Sequence, residues 1–451
     1  MSKAIDQKAL SELLASHCEA PHWYVAFSGG VDSTALLHLI TVWRKKHPES
    51  PPLTALHINH GLQAEASEWE NHCAWICRFL DVPFLALPAE VVVDGSGLES
   101  AAREARYALF ESQLGRAEVL FLGHHQDDQV ETFFLRLLRG AGVEGLGAMP
   151  RQRSLGEGLL SRPFLDCSRA QLERYVAKHG LRTIEDPSNA DTSLDRNFLR
   201  REVLPLLSKR WPGYGKTITR AADHLAGAAQ ALEEVVDIPK TCHSALGDPG
   251  FPLAFLDVSS DEQATQVIRA WLKSRGLQPP DQSLLQEFLR QLRKSLRSAR
   301  PMLDTGTYRL QRDRDAVYLL PDQRKTELTS MLIAPGETVT VAGVGTLSIR
   351  RVTGRGIWLA ADEELELRWR RGGERARPAS GGRSADLKKW LQEAAIPPWW
   401  RDRLPLLFLE NQMLAVGGLW ACHSSRWGEE GEEAEAPWEL VWEPATCSGL
   451  D

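Results

Sequence analysis

Six residues near the N-terminus, Ser28-Gly29-Gly30-Val31-Asp32-Ser33, join backbone freedom, two hydroxyls and one carboxylate in an order suited to gripping a polyphosphate. Gly29 and Gly30 let the main chain approach phosphate oxygens and expose consecutive N–H groups. A helix starting at Val31 would add its positive dipole end. Ser28 and Ser33 offer hydroxyl donors. Asp32 is the odd member, because a carboxylate beside a polyphosphate repels it unless a divalent cation lies between them. Mg²⁺ prefers one or two carboxylates with phosphate oxygens and water, so Asp32 is assigned to Mg²⁺. The lysine of the G-x-x-x-x-G-K-[ST] phosphate loop is absent. The bland alternative is a glycine turn that caps a helix, with Ser28 or Asp32 satisfying backbone donors.

A second cluster follows at Gly123-His124-His125-Gln126-Asp127-Asp128-Gln129-Val130-Glu131-Thr132. Acidic residues are common at helix starts, but two histidines and three carboxylates in eight residues exceed what capping needs. Zinc is disfavoured, since the helix-borne i,i+4 histidine pair and a third soft ligand are both lacking. A hard Mg²⁺ shared with the polyphosphate fits better, with Asp128 approaching from opposite Asp32.

These clusters need a scaffold that brings two loops together. Strands are predicted at 23–27, 53–58, 83–87 and 119–123, and helices at 33–46, 65–80, 98–114 and 127–138. Repeated βα units imply a doubly wound parallel sheet with its ligand at the carboxyl ends of the strands. Ser28, Asn59-His60-Gly61 and His124-His125 all fall at such ends. After Trp211-Pro212-Gly213 the pattern becomes helical, at 216–236, 261–275 and 282–299. From about 335 short β-prone runs dominate. The expected organisation is therefore an N-terminal domain at 1–214, a helical middle domain at 215–325, a small α+β C-terminal domain at 335–428 and an acidic tail at 429–451.

Composition narrows the class. The chain has 451 residues, of which 43% are hydrophobic and 25% charged, the balance of a globular protein with two or three domains. No run is long enough to span a membrane, and Met1–Gln7, with no apolar core or cleavage site, predicts a protein that is not secreted. Seven scattered cysteines, odd in number, predict a reducing cytoplasmic setting. The net charge of −7 conceals a basic body: residues 429–451 hold seven Glu, one Asp and no Lys or Arg, and without them the charge is +1. Fourteen Lys and Arg face eight Asp and Glu within 151–220, and ten face five within 366–403. Such concentrations suit phosphate backbones, although a charge run alone is ordinarily a solvated face. Eight of the fifteen tryptophans lie at 369 or beyond, serving either as core or as RNA-stacking surface.

The first loop, placed after a strand, resembles the pyrophosphate loop of the N-type ATP pyrophosphatases (PP-loop ATPases, adenine nucleotide alpha hydrolase-like). Further segments sharpen the likeness: His57-Ile58-Asn59-His60-Gly61-Leu62; Glu99-Ser100-Ala101-Ala102-Arg103-Glu104-Ala105-Arg106-Tyr107; Arg139-Gly140-Ala141-Gly142; and Gly145-Leu146-Gly147-Ala148-Met149. They continue with Glu185-Asp186-Pro187-Ser188-Asn189 and Arg196-Asn197-Phe198-Leu199-Arg200. Near the end come Arg371-Gly372-Gly373-Glu374, Leu387-Lys388-Lys389-Trp390 and Ile396-Pro397-Pro398-Trp399. In this order, over about residues 20–425, the set resembles the bacterial tRNA(Ile)-lysidine synthase family.

That resemblance implies a ligase acting on the wobble cytidine of the isoleucine tRNA with a CAU anticodon. ATP would adenylate the 2-keto oxygen of the cytosine and release pyrophosphate. The amine of free lysine would then displace AMP, switching the tRNA from methionine to isoleucine identity. Ser28, Gly29, Gly30, Val31, Asp32 and Ser33 would bind ATP, with Mg²⁺ on Asp32 and Asp128. Asp128 or Glu131 would accept a proton in the amine step. Arg196 or Arg200 would balance charge or hold tRNA phosphate, unless they merely bridge to Asp186 or Asp195. Arg371, Arg375, Lys388 and Lys389 would contact tRNA. A homodimer stays open as a quaternary state. The competing readings are a tRNA thiolase of the same superfamily, disfavoured by the absence of a C-x-x-C pair, and a non-catalytic tRNA-binding protein, disfavoured by the intact carboxylates.

Overall fold

The apolar run Trp-Tyr-Val-Ala forms β1 (Trp23–Ala26), an inner strand of a six-stranded sheet in the computed structural model. The structure describes residues 5–59, 66–91, 98–185, 191–296, 299–321, 328–379, 381, 383–424, 426–428 and 437–446. Two compact units are present, Met1–Glu234 and Val235–Asp451.

In the first unit, α1 (Gln7–Ala15) precedes β1. The chain continues through α2 (Val31–Arg44), β2 (Leu53–Asn59), α3 (Ala66–Leu80), β3 (Phe84–Pro88), α4 (Leu98–Gln113), β4 (Val119–Phe121) and α5 (Gln126–Leu138). Each strand and helix predicted for this stretch lies within two residues of these bounds. Then follow α6 (Val143–Leu146), β5 (Gln152–Leu155), β6 (Gly158–Ser161), α7 (Arg169–Lys178), α8 (Asp195–Phe198), α9 (Leu204–Arg210) and α10 (Tyr214–Val235). The sheet order is β3-β2-β1-β4-β6-β5, parallel except for β5. Trp23 pairs with Leu53 on one side and Val119 on the other. The chain therefore winds one way from β1 through β3 and the other way from β4, which puts the topological switch point between β1 and β4.

Strand periodicity divides the core between the two faces. Trp23, Val25 and Phe27 pack with Leu36 and Ile40 of α2, with Cys73 and Cys77 of α3 and with Leu172 of α7. Tyr24, Leu56 and Leu120 face the other way, onto Phe110 and Leu114 of α4. Full burial of such side chains contributes about 1.5–3 kcal/mol each.

The second unit departs from expectation in two places. The middle region is not helical throughout. Helices Asp261–Lys273 and Gln282–Lys294 pack through Ile268, Trp271, Phe288 and Leu289 onto a five-stranded antiparallel sheet built from 242–243, 249–252, 302–304, 308–313 and 316–321. Its hairpin is signalled by the alternation of Tyr308, Leu310 and Arg312 inward, and helical periodicity elsewhere masked it. The third helix expected here, α10, belongs to the first unit.

The acidic tail is also corrected. Trp438–Pro444 is a strand that pairs along its whole length with Gly345–Arg351. Trp438, Leu440 and Trp442 are buried while Glu439 and Glu443 face outward or sideways, a period-2 pattern hidden by the glutamate content. Residues 429–436 lie outside the described part. Two five-stranded sheets and the helix Leu387–Glu393 complete this region. Asp248, fully buried, accepts hydrogen bonds from the indole N–H groups of Trp399 (3.1 Å) and Trp400 (2.8 Å), fastening the region to the preceding sheet.

Candidate active site

The loop after β1 turns at Gly29, whose φ of +79° only glycine adopts without strain. A Cβ there would also come within 2.9 Å of Cys73 Sγ. Gly30 has ordinary extended φ and ψ and starts α2 without any side-chain cap, leaving N–H groups of the first turn for an anion. The two serines divide their labour. Ser28 is exposed, whereas Ser33 is buried and ties the loop together: its Oγ accepts from Ser28 N (3.2 Å), lies 3.1 Å from Ser28 Oγ and donates to Gly30 O (3.2 Å). Gly123 at the end of β4 brings the second cluster close, since a Cβ there would meet Asp32 C at 3.1 Å.

Asp32, in the first turn of α2, faces His125, the residue that opens α5. His125 Nε2 lies 3.7 Å from Asp32 Oδ1 and 3.5 Å from Asp128 Oδ2, so both carboxylates approach one imidazole nitrogen from different elements. Asp128 Oδ2 also accepts from His125 N at 3.0 Å. The expected facing of Asp32 and Asp128 is thus present. Among the described residues no three His, Cys, Asp or Glu side chains form a ready metal cage. The available donors are carboxylate oxygens, and Asp32 Oδ1 is buried with no hydrogen-bond partner. An oxygen-preferring cation completed by phosphate and water fits that donor set.

Behind Asp128 lies a double arginine clamp. Glu131 is fully buried; its Oε2 accepts from Arg196 Nε (2.7 Å) and Arg200 Nη2 (2.9 Å), and its Oε1 accepts from Arg200 Nε (2.7 Å). Arg196 Nη2 also donates to Asp128 Oδ1 at 2.9 Å. Arg196 lies in α8 and Arg200 in a single π-helical turn, Leu199–Val203, a device frequent at functional sites. Of the two alternative partners, Asp195 lies by Arg139 (3.7 Å), and Asp186 lies outside the described residues. Burial opposes ionisation of Asp128, yet His125, Arg196 and His124 carry its pKa down to about 2. It is therefore a fixed anion and a poor proton acceptor, and both Glu131 oxygens are already occupied. Neither suits the proton-accepting role expected of them. Burial raises the pKa of Asp32 against the pull of His125 and Arg169, and lowers that of His124 to about 3, which keeps that imidazole neutral.

Sequence reasoning missed Arg169. It opens α7, its Nη1 donates to Asp32 Oδ2 (2.5 Å), its Nε to Glu173 (3.1 Å) and its backbone N to Asp127 Oδ2 (2.7 Å). No motif marks it; only the return of the chain after β6 brings it to α2. Ser28, Asp32, Asp128, Arg169, Arg200 and Tyr214 line one open cleft of about 1100 Å³.

The chain matches the family model for the PP-loop domain over residues 2–207, that for the TilS substrate binding domain over 251–318 and that for the TilS substrate C-terminal domain over 365–442. The tRNA(Ile)-lysidine synthase of Pseudomonas putida is 41% identical over 410 residues, 89% of this chain and 93% of that protein. The chain belongs to the tRNA(Ile)-lysidine synthase family. The family member from Coxiella burnetii is 37% identical over 430 residues, 93% of each chain, and that from Pseudomonas aeruginosa 38% identical over 450 residues, 98% of this chain and 97% of the relative. The match to the C-terminal model runs into the strand Trp438–Pro444, in accord with the corrected tail.

The family-derived positions fall unevenly on the structure. His60–Leu62 and Asp186–Asn189 lie outside the described residues. Arg371, Arg375, Lys388 and Lys389 are all exposed, with Arg375 3.2 Å from Asp386 and Lys389 3.8 Å from Glu393. Of the eight late tryptophans, Trp369, Trp400, Trp438 and Trp442 are buried in one core, and Trp390, Trp399, Trp420 and Trp427 pack against it partly buried.

Proposed function

We propose that the cleft at the β1–β4 switch point activates the wobble cytidine of tRNA(Ile) with ATP and joins it to the ε-amine of free lysine, in the cytoplasm. The convergence of Asp32 and Asp128 on His125, beside an uncapped helix start, supports this reading most strongly. Gly29, Gly30, Val31 and Ser28 receive the β and γ phosphates through backbone N–H groups and one hydroxyl, with Ser33 holding the loop in shape. Asp32 and Asp128 are the residues that would hold Mg²⁺. That ion, when bound, neutralises charge on the departing pyrophosphate.

The cytosine 2-keto oxygen attacks the α-phosphorus, the bond to the β-phosphate oxygen breaks, and pyrophosphate leaves. Arg200 and Arg196 balance the negative charge of the adenylate, and Glu131 orients both guanidinium groups. The neutral lysine amine then attacks the activated carbon, the carbon–oxygen bond to AMP breaks with its electrons leaving on AMP, and the ammonium so formed gives its proton to water. Arg371, Arg375, Lys388 and Lys389 contribute sequence-independent phosphate contacts to tRNA. Multiple-turnover pyrophosphate release tests the proposal: it should require both lysine and the CAU-anticodon tRNA. Release that needs a sulfur donor instead would favour a thiolase, and tRNA binding without any release would favour a non-catalytic protein.

A further inference from the structure

Asp32 offers its two oxygens to different partners. Its Oδ2 is engaged by Arg169 Nη1, while its Oδ1 is buried, has no hydrogen-bond partner and lies 3.7 Å from His125 Nε2. A divalent cation binding at Oδ1 withdraws negative charge from the same carboxylate and repels the guanidinium on Oδ2, which weakens the hold on that arm of Arg169. The rest of the arginine is held independently of Asp32. Its Nε donates to Glu173 at 3.1 Å, one turn along α7, and its backbone N–H to Asp127 at 2.7 Å. Released from Asp32, the guanidinium therefore pivots on Glu173 and stays in the cleft it shares with Ser28 and Gly30. A planar guanidinium with free N–H groups beside a phosphate loop meets phosphate oxygens in bidentate fashion.

We propose that Arg169 is a counter-ion exchanged between two partners: Asp32 in the nucleotide-free protein, and the pyrophosphoryl end of ATP once a divalent cation occupies Asp32. The exchange keeps the cation site neutralised until metal and triphosphate arrive together. It also makes Arg169 a selector for ATP over AMP, because only ATP carries the phosphates that the released guanidinium reaches. This inference rests on the assignment of the cation to Asp32.

The test uses the full chain and its Arg169→Gln, Arg169→Lys and Asp32→Asn variants, with Mn²⁺ as a paramagnetic probe and calorimetry for nucleotides. Exchange predicts changes of opposite sign in Arg169→Gln. Mn²⁺ alone should bind several-fold tighter than in the unsubstituted protein, because its competitor is gone. ATP with the metal should bind roughly 10- to 100-fold weaker, the scale of a lost charge-assisted hydrogen bond. AMP should bind equally in both, and Arg169→Lys should recover part of the ATP affinity. Unchanged ATP affinity, weaker Mn²⁺ binding, or equal losses for ATP and AMP would each overturn the exchange. Asp32→Asn separates the two layers. Retained metal-dependent ATP binding in that variant removes the cation assignment itself. Its loss there, together with ordinary behaviour of Arg169→Gln, removes only the role given to Arg169.

Discussion

Replacing Glu131 with Gln removes one negative charge from a fully buried position that accepts three guanidinium hydrogen bonds. The amide retains one oxygen, but its NH₂ group points a donor at a donor, so at least one charge-assisted bond is lost. Such a bond is worth about 1.5–3 kcal/mol, and breaking a buried pair from one side costs about 3–5 kcal/mol. Arg196 and Arg200 are 26% and 36% exposed and can recover some solvation, which places the expected cost near the lower figures, at about 2–3 kcal/mol. For a unit of this size that lowers the melting midpoint by about 4–12 °C. Two units make a single two-state fit inappropriate, so the transition to follow is the one that ATP shifts. Catalysis should suffer more than stability: with Arg200 no longer oriented, single-turnover adenylation should fall by roughly 10²-fold or more, the scale of a lost oxyanion donor. A midpoint and an adenylation rate both unchanged in Glu131→Gln would refute the clamp as the device that positions these arginines.

Asp32→Ala should abolish pyrophosphate release while leaving tRNA affinity intact by filter binding; near-normal release would remove its metal role. Acid should destabilise the first unit in two stages, read by circular dichroism against pH. The folded state holds His124 near 3 against an ordinary 6.5, so the unfolded chain binds the extra proton and stability falls as pH drops from about 6.5 towards 3. The pKa of Asp128 is depressed from 3.8 to about 2, so its contribution is present above pH 4 and vanishes as pH falls through 2; stability that rises on acidification would contradict both. Neutralising Lys388 and Lys389 together should weaken tRNA binding and flatten its salt dependence by a slope of roughly one per lost phosphate contact, without changing ATP affinity; an unchanged slope would move the tRNA contact elsewhere. Truncation after residue 436 should unfold the sheet that holds Gly345–Arg351, detected as loss of its cooperative transition, whereas an unaltered melt would mean that Trp438 and Trp442 are dispensable.

The parallel sheet was legible because its strands are buried on both faces and read as continuous apolar runs: Trp23 to Phe27 and Val119 to Leu122 cannot be mistaken for surface. The phosphate loop and the His125–Glu131 cluster were legible because each is contiguous in sequence. Arg169 was not, since its partners Asp32 and Asp127 lie 137 and 42 residues away and only tertiary folding joins them. The hairpin of β5 and β6 carried a readable signal in its two-residue turn Gly156-Glu157, with Gly156 at φ +55°. Trp438 to Glu443 alternates as a strand should, but its glutamates and the acidic run before it imitate a solvated tail. Local composition outweighed period there, and the partner strand that settles the matter lies upstream by a separation, from Arg351–Trp438 to Gly345–Pro444, that no sequence window spans.

The central claim is that ATP is spent on the nucleobase and not on the amino acid. The direct measurement is a single-turnover reaction of the full chain with α-labelled ATP and the CAU-anticodon tRNA, with lysine withheld, followed by nuclease digestion and mass analysis of the wobble nucleoside. The account predicts one AMP attached to that cytidine with pyrophosphate released in equal amount, and its replacement by lysine when lysine is added. Labelled pyrophosphate exchanging into ATP with lysine alone, without tRNA and with the cytidine left unmodified, would contradict it.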